Sequence, residues 1–412
     1  MRFLLSDASG LTARQVATIL GREGHHVEAL SSDPLALTRF TRYVRRIHRL
    51  PAFGTNPLDW FDRLEALLHQ TSVDVLLPTQ EQVSVLALRR QRLLDTGVDS
   101  PLPAFSALMR VQDKVSAAAT LAEIGLAQPQ FVVVRNRLDG LAYDGPFPVF
   151  IKAPIGTASS SVRLASDRDG LQTAMDGFDR SGVFDDGTGL LIQAAVSGPL
   201  AMIQAVFQHG RLVASHANLR IVEGASGGAA LKESIDHAAI RSDLAQLDLH
   251  LDWEGALSVD AVLTSDGPRY IDVNPRLVEP MNAFLSGVDL VGALIRVAAG
   301  DEVTVQPPGK SGVRSHQSLL ALLGAARRGS RGEVLATMSQ LARHHGEFAS
   351  STEELTPTNG DWAAAIPLAI VGVSVLAYPA AWRYFSGGAV SRYSLTRGGW
   401  RSLLLAARGP SG

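Results

Sequence analysis

Two aspartates and an asparagine within residues 255–276 are spaced to hold a hard cation. Val259, Val262, Leu263, Tyr270, Ile271 and Val273 form two strand-like runs, and Ser265-Asp266-Gly267 between them reads as a hairpin turn. If the hairpin is symmetric about Asp266, Asp260 falls directly opposite Asp272, and Asn274 shares Asp272's face. Two carboxylates set across a ladder repel each other, and the usual compensator is a hard cation bound through oxygen, so the spacing predicts a magnesium site. The plainer alternative is a surface hairpin with solvated acids.

A second stretch has the chemistry to hold a polyphosphate. Phe147-Pro148-Val149-Phe150-Ile151-Lys152-Ala153-Pro154 is an almost wholly apolar strand carrying one cation. A lysine flanked by core-type residues needs a negative partner, because its buried charge is costly when unpaired. Gly156-Thr157-Ala158-Ser159-Ser160-Ser161 follows at once, and small residues let backbone N–H groups and hydroxyls approach phosphate oxygens closely. A plain turn is the other reading of that loop.

These side chains need a scaffold. Residues 3–6, 13–23 and 26–30 read as strand, helix and strand, with Gly24 as the helix stop, which is the grammar of a parallel doubly wound sheet. Ser9-Gly10 is only a fragment of a glycine fingerprint for a dinucleotide. A helix over 57–70 leads to a strand over 73–77 and then to Thr79-Gln80-Glu81, where Glu81 faces either a substrate cleft or solvent. Ser106 reads as an N-cap, and Asp113-Lys114 precedes a helix over 115–124 closed by Gly125. Residues 190–196 form a strand, 201–207 and 212–219 a hairpin around His209-Gly210, and 238–251 a helix delivering the chain to the aspartate hairpin.

In this order the motifs resemble the ATP-grasp superfamily over roughly residues 1–300. The resemblance implies an α/β N-terminal pre-ATP-grasp domain over 1–105, with a parallel sheet, and an α+β ATP-grasp fold over 106–300. A helical C-terminal region spans 301–412. It implies that Asp260, Asp272 and Asn274 bind magnesium, with manganese as substitute, and that Lys114, Lys152 and the loop residues Gly156, Thr157, Ser159, Ser160 and Ser161 hold the phosphates of ATP. Gln193, Ala194 and Val196 look like the hinge whose backbone meets adenine. Arg220 and Arg276 look like the catalytic cations of the carbamoyl phosphate synthetase-like branch. The implied reaction converts a small-molecule carboxylate to an acyl phosphate that an amine captures. Three positions depart from the family pattern: Asp272 stands where Glu is usual, Gln193 where Glu is frequent, and Leu200 in the region of the acid that holds the ribose. Loss of turnover is therefore the alternative, leaving a nucleotide-binding sensor or a membrane-tethered scaffold.

Composition narrows the field. There is no cysteine, so disulfides, thiolate metal sites and cysteine nucleophiles are excluded. A net charge of −2 gives no bulk attraction to nucleic acid. The N-terminus meets Asp7 too soon for a secretory signal, which points to a cytoplasmic protein. Residues 362–382 carry no charge between Asp361 and Arg383, and the run is long enough for a membrane span. The tail beyond has Arg383, Arg392, Arg397, Arg401 and Arg408 but no acid, so a single span would put the ATP site outside. The segment then either meets the inner membrane face as a bent hairpin or packs against the soluble body or a second subunit, as in a homodimer.

Overall fold

A computed structural model of the chain describes residues 1–156, 161–185, 187–387 and 393–409. Four parallel strands, β1 (Arg2–Leu5), β2 (His26–Ser31), β3 (Val44–Arg49) and β4 (Val75–Leu77), form the first sheet in the order β3-β2-β1-β4. Parallel neighbours need crossovers, and the helices Leu11–Arg22 and Pro57–Leu68 supply two of them. Asn56 caps the second helix through Asp59 N–H, with Pro57 at its first position. The strand order reverses between β1 and β4, and open α/β sheets bind ligands just beyond the carboxyl ends of such strands. Asp7 and Glu81 lie just past those two ends.

The second sheet is antiparallel, β5 (Phe131–Val134), β8 (Leu190–Ala194), β6 (Val149–Lys152) and β7 (Val162–Ala165) in that spatial order. The third runs β13-β12-β9-β10-β11-β14-β15. It comprises β9 (Leu200–Gln208), β10 (Arg211–Glu223), β11 (Ala229–Ile235), β12 (Gly255–Thr264), β13 (Gly267–Asn274), β14 (Arg314–His316) and β15 (Thr352–Glu353). The two short strands of the C-terminal region thus extend the sheet that carries the aspartate hairpin.

One apolar core crosses these layers. Trp60, Phe61 and Leu64 of the N-terminal region, Ile203, Phe207 and Trp253 of the central region, and Trp400 and Leu403 of the last helix belong to a single buried cluster. The helix Arg397–Ala407 is therefore docked on the N-terminal layer. The helix that follows Asp113 behaves as its sequence predicts: Asp113 accepts from Val115 and Ser116 N–H, and Gly125 ends the helix at φ +82. Upstream, the short helix Phe105–Met109 starts one residue before Ser106, with Ala104 at the cap position, so Ser106 lies inside it.

The apolar run 362–382 does not form a span. Its main helix, Ala365–Ala377, is 13 residues long, about 20 Å at 1.5 Å per residue, against a hydrocarbon core of about 30 Å. The helix stops before Tyr378-Pro379, because proline lacks the N–H that would continue it. Among the described residues no helix is long and apolar enough to cross a membrane. One side packs on the helices Ser318–Arg327 and Arg331–Arg343, while Val373 remains 69% exposed.

Candidate functional site

The aspartate hairpin has the predicted pairing but reaches it by a different route. Thr264 pairs with Gly267, so the turn has two central residues, Ser265 and Asp266, rather than three. Such a turn would set Asp260 against Ile271. A bulge at Ile271 inserts one extra residue and brings Asp272 opposite Asp260 after all. Gly267, at φ +108, takes a backbone conformation closed to most other residues.

The bulge also creates a contact. An extra residue in a ladder leaves its polar groups without strand partners. Lys152 Nζ, reaching across from β6, donates to the Ile271 carbonyl at 2.7 Å. Lys114, on the first turn of its helix, donates to both oxygens of Asp272 at 2.9 and 2.8 Å. Two lysines from different elements therefore meet the hairpin at adjacent residues.

This crowding decides the protonation states. Burial and the neighbouring Asp272 push the Asp260 carboxyl up to about 7, against the pull of Lys114, Lys152 and Arg276. Burial acts on Asp272 in the same direction, but Lys114 and Lys152 outweigh it and hold that carboxyl below the usual range. Burial likewise brings Lys152 down to about 8. The pair is thus one carboxylate, one carboxyl close to neutral pH, and an ammonium already seated on the carboxylate. A divalent cation suits such a pair, since it neutralises both acids at once. Among the described residues no three His, Asp or Glu side chains converge as a metal cluster, and Asn274 pairs with Ser258 two residues along the ladder from Asp260.

Of the remaining residues, Lys114 and Gln193 line one small cleft, together with Gln128, Ile271 and Asp272. Gln193 is buried in β8. Ala194 and Ala195 N–H donate to Gln130 and Pro148 at 2.8 and 3.0 Å, whereas Val196 lies beyond the strand end. Gly156 and Ser161 flank the small-residue loop, and the buried Ser161 hydroxyl has no partner among the described residues. Thr157, Ser159 and Ser160 lie outside the described residues.

The two arginines occupy different settings. Arg220 donates to the Gly227 carbonyl at 2.8 Å and pairs with Glu223 at 3.3 Å. Arg276 is 7% exposed, and its Nε has no partner among the described residues. Opposite Arg220 on the β10–β11 ladder stands Lys232, fully buried and hydrogen-bonded to both Glu279 and Glu354. Gln317 donates to the same two glutamates, and Ser315 Oγ to Glu354 at 2.9 Å. Glu279 has φ +48, uncommon outside glycine, and is held there by Gln204 on its carbonyl and Thr12 on its N–H. The Lys232-Glu233-Ser234 run resembles a loop of the carbamoyl phosphate synthetase-like branch, but Gln317 and Glu354 carry no signal that marks them for this centre, because distant segments bring them to Lys232.

No protein-family model and no curated protein sequence matches the chain. Solved structures do. The biotin carboxylase domain of 2-oxoglutarate carboxylase from Hydrogenobacter thermophilus aligns at 15% identity over 76% of this chain and 73% of its own, with a TM-score of 0.59. Biotin carboxylase from Campylobacter jejuni aligns at 15% identity over 76% and 74%, with a TM-score of 0.60. L-amino acid ligase from Bacillus licheniformis aligns at 14% identity over 77% and 80%, also at 0.60. This chain has the ATP-grasp fold. The β5–β8 sheet and the β12–β13 hairpin are bridged by Lys152. The Hydrogenobacter domain was solved with magnesium ADP, ADP and bicarbonate.

Proposed function

We propose that this chain is an ATP- and magnesium-dependent ligase that activates a small-molecule carboxylate as an acyl phosphate for capture by an amine. The observation that carries the reading is the convergence of Lys114 and Lys152 on the bulged strand where Asp272 faces Asp260. Asp260, Asp272 and Asn274 would hold the metal, a reading supported by the Lys114 ammonium seated on Asp272. Bound magnesium supplies charge neutralisation to the phosphate oxygens.

The chain's own residues do the rest. Lys152 is buried and already aims its proton donors at the hairpin, so it can hold a phosphate oxygen without first being ordered. Lys114, whose ammonium sits on Asp272, would also reach a phosphate oxygen beside that carboxylate. Gly156 and residues 157–161 cover the phosphates, and Gln193, Ala194 and Val196 meet the base. Arg276, buried with an unpaired Nε, offers positive charge to the carboxylate and to the oxygens of the acyl phosphate. Arg220, on the neighbouring ladder, adds charge where the amine attacks. Residues 1–105 would supply the substrate-side wall and 106–300 the nucleotide clamp. Catalysis of this kind is positioning and electrostatics, which suits a chain without cysteine.

The test is phosphate release from magnesium ATP with pools of carboxylic acids and amines. Release that depends on an acid and disappears in Asp272→Ala supports the ligase. Nucleotide binding indifferent to Asp272→Ala, with no acid-dependent release across broad pools, removes it and leaves the sensor reading.

A further inference from the structure

The helix Ala365–Ala377 is apolar on every side, with Ser374 its one polar residue. A helix of that composition is normally covered all round, by a protein core or by lipid. Here one face is covered: Pro367, Val371, Gly372 and Val375 are buried, and Val371 and Val375 share a cluster with Leu322 and Leu323 of the helix Ser318–Arg327. The other face carries Ile366, Ile370 and Val373, spaced four and three residues apart, and the turn Trp362–Ala364 continues it with Trp362. Trp362, Ile370 and Val373 are 78%, 50% and 69% exposed. At the far end Tyr378 and Tyr384 are exposed as well. The stripe is aliphatic in the middle with aromatic rings at both ends, which is how side chains sort at a membrane–water boundary.

The exposed charges fastened to the two ends of this stripe are positive. Arg42 donates to the Gly360 carbonyl at 3.0 Å, just before Trp362, and Arg331 donates to the Ala377 carbonyl at 2.7 Å, where the helix ends. Arg383 follows, with its guanidinium 5.8 Å from the centre of the Trp382 ring. All three arginines are exposed. From residue 355 to the end, the sequence has five arginines and a single acid, Asp361. That acid is 1% exposed and is taken up by Arg14, Thr41 and the Arg42 N–H. On the neighbouring helix the exposed Glu333 pairs with Arg328 at 3.4 Å.

We propose that this stripe docks on an anionic lipid surface, with the helix Ala365–Ala377 lying along the headgroups instead of crossing them. Its 13 residues are too few for a span, but a helix lying flat can bury its whole open face at the acyl boundary. Ile366, Ile370 and Val373 then enter that boundary, Trp362, Tyr378 and Tyr384 sit at headgroup level, and Arg42, Arg331 and Arg383 meet lipid phosphates. Charge decides between this occupant and a second copy of the chain. Two copies paired through the stripe would set arginines against arginines with no exposed acid from the segment to offset them, whereas anionic lipid neutralises all three. The inference does not rest on the ligase reading.

The experiment sediments the full-length protein with vesicles of phosphatidylcholine alone and of phosphatidylcholine mixed with phosphatidylglycerol, at low and high salt. Light scattering gives its mass without lipid. Wild type is expected to bind the mixed vesicles in preference to the neutral ones, and to bind them several-fold less at high salt, where surface charge is screened. Arg383→Gln should weaken binding to the mixed vesicles by about fivefold and leave the neutral ones unaffected. Val373→Glu puts a carboxylate in the open face and should lower affinity by about tenfold or more, with the thermal midpoint of wild type because the side chain is exposed. Tryptophan emission should shift to the blue on the mixed vesicles, and Trp362→Phe should remove that shift. Arg383→Gln and the Trp362 shift carry the reading if Val373→Glu fails to fold. No binding to the mixed vesicles, or binding that none of these changes alters, overturns the proposal. So does a mass of two chains that Val373→Glu returns to one, because the stripe then belongs to a second copy.

Discussion

Replacing Lys114 by methionine should move metal and nucleotide affinity in opposite directions. The Lys114 ammonium sits on both Asp272 oxygens at 2.9 and 2.8 Å, so on the proposed function a cation binding Asp272 would displace it. The two side chains are 14% and 26% exposed, which shelters the pair from most solvent screening. A charge-assisted hydrogen bond contributes about 1.5–3 kcal/mol net. At 1.4 kcal/mol per tenfold, Lys114→Met should tighten metal binding to the nucleotide-free chain by about 10- to 100-fold. On the proposed function Lys114 also holds a phosphate, so ADP affinity should fall. The pH must be chosen with care. Metal binds the ionised form of Asp260, which titrates near 7, and Lys114 is one of the groups that lower that value. Without Lys114 the proton is held to higher pH, so affinity rises as pH increases through and above 7, and the gain emerges only on the alkaline side. Manganese, titrated by its electron paramagnetic resonance signal at pH 8.5, reads the metal directly, and calorimetry reads ADP. Manganese affinity that is unchanged or weaker in Lys114→Met at that pH would refute the idea that ammonium and metal compete for Asp272.

Two further outcomes concern the buried polar centre. Lys232→Met leaves Glu279 and Glu354 facing each other without their cation, which should cost about 3–5 kcal/mol at neutral pH. Burial already raises Glu354, and a carboxyl raised in the folded state favours folding at low pH and disfavours it as pH rises. The deficit in thermal midpoint should therefore be larger at pH 8 than at pH 5, and equal deficits would contradict the assignment. His216, hydrogen-bonded to Asn282 at 2.8 Å, is brought down to about 4 by burial. The unfolded chain takes up that proton first, so stability is intact above about 6.5 and is lost as pH falls toward 4, by about 3 kcal/mol in all. His216→Gln should flatten this acid slope of the midpoint, and an unchanged slope assigns it to other groups.

Local signals were legible in the sequence because they act over a few residues. Asp113 and Gly125 bracket a helix through capping groups on its own ends, and the helix expected over 238–251 is Ala238–Leu251. The aspartate hairpin is more instructive. Its alternation identifies both strands, and counting from Asp266 pairs Asp260 with Asp272, yet the turn is one residue shorter than that count assumes. The bulge at Ile271 makes up the difference, and nothing in Tyr-Ile-Asp announces it, because a bulge is set by what the freed carbonyl meets across the cleft. The apolar run 362–382 failed as a span for the opposite reason. Hydropathy has no direction, and Pro379 together with packing against the helix Ser318–Arg327 turned the run into a short half-buried helix.

What the sequence could not display is the part assembled from afar. Lys232 reads as one cation of a Lys-Glu-Ser run and Glu354 as one acid of a Glu-Glu pair. Only the pairing of β11 with β14, and of β14 with β15, puts both beside Glu279 and Gln317. Leu395 and Thr396 are a sharper instance, since they are held by Glu81 and Gly54, more than 300 residues earlier in the chain. Both contacts join the C-terminal region to the N-terminal one. The residues around the nucleotide come from motifs that a common chemistry keeps in order. Contacts such as those of Leu395 with Glu81 and of Thr396 with Gly54 join segments that meet only in the folded chain, so no local motif can announce them.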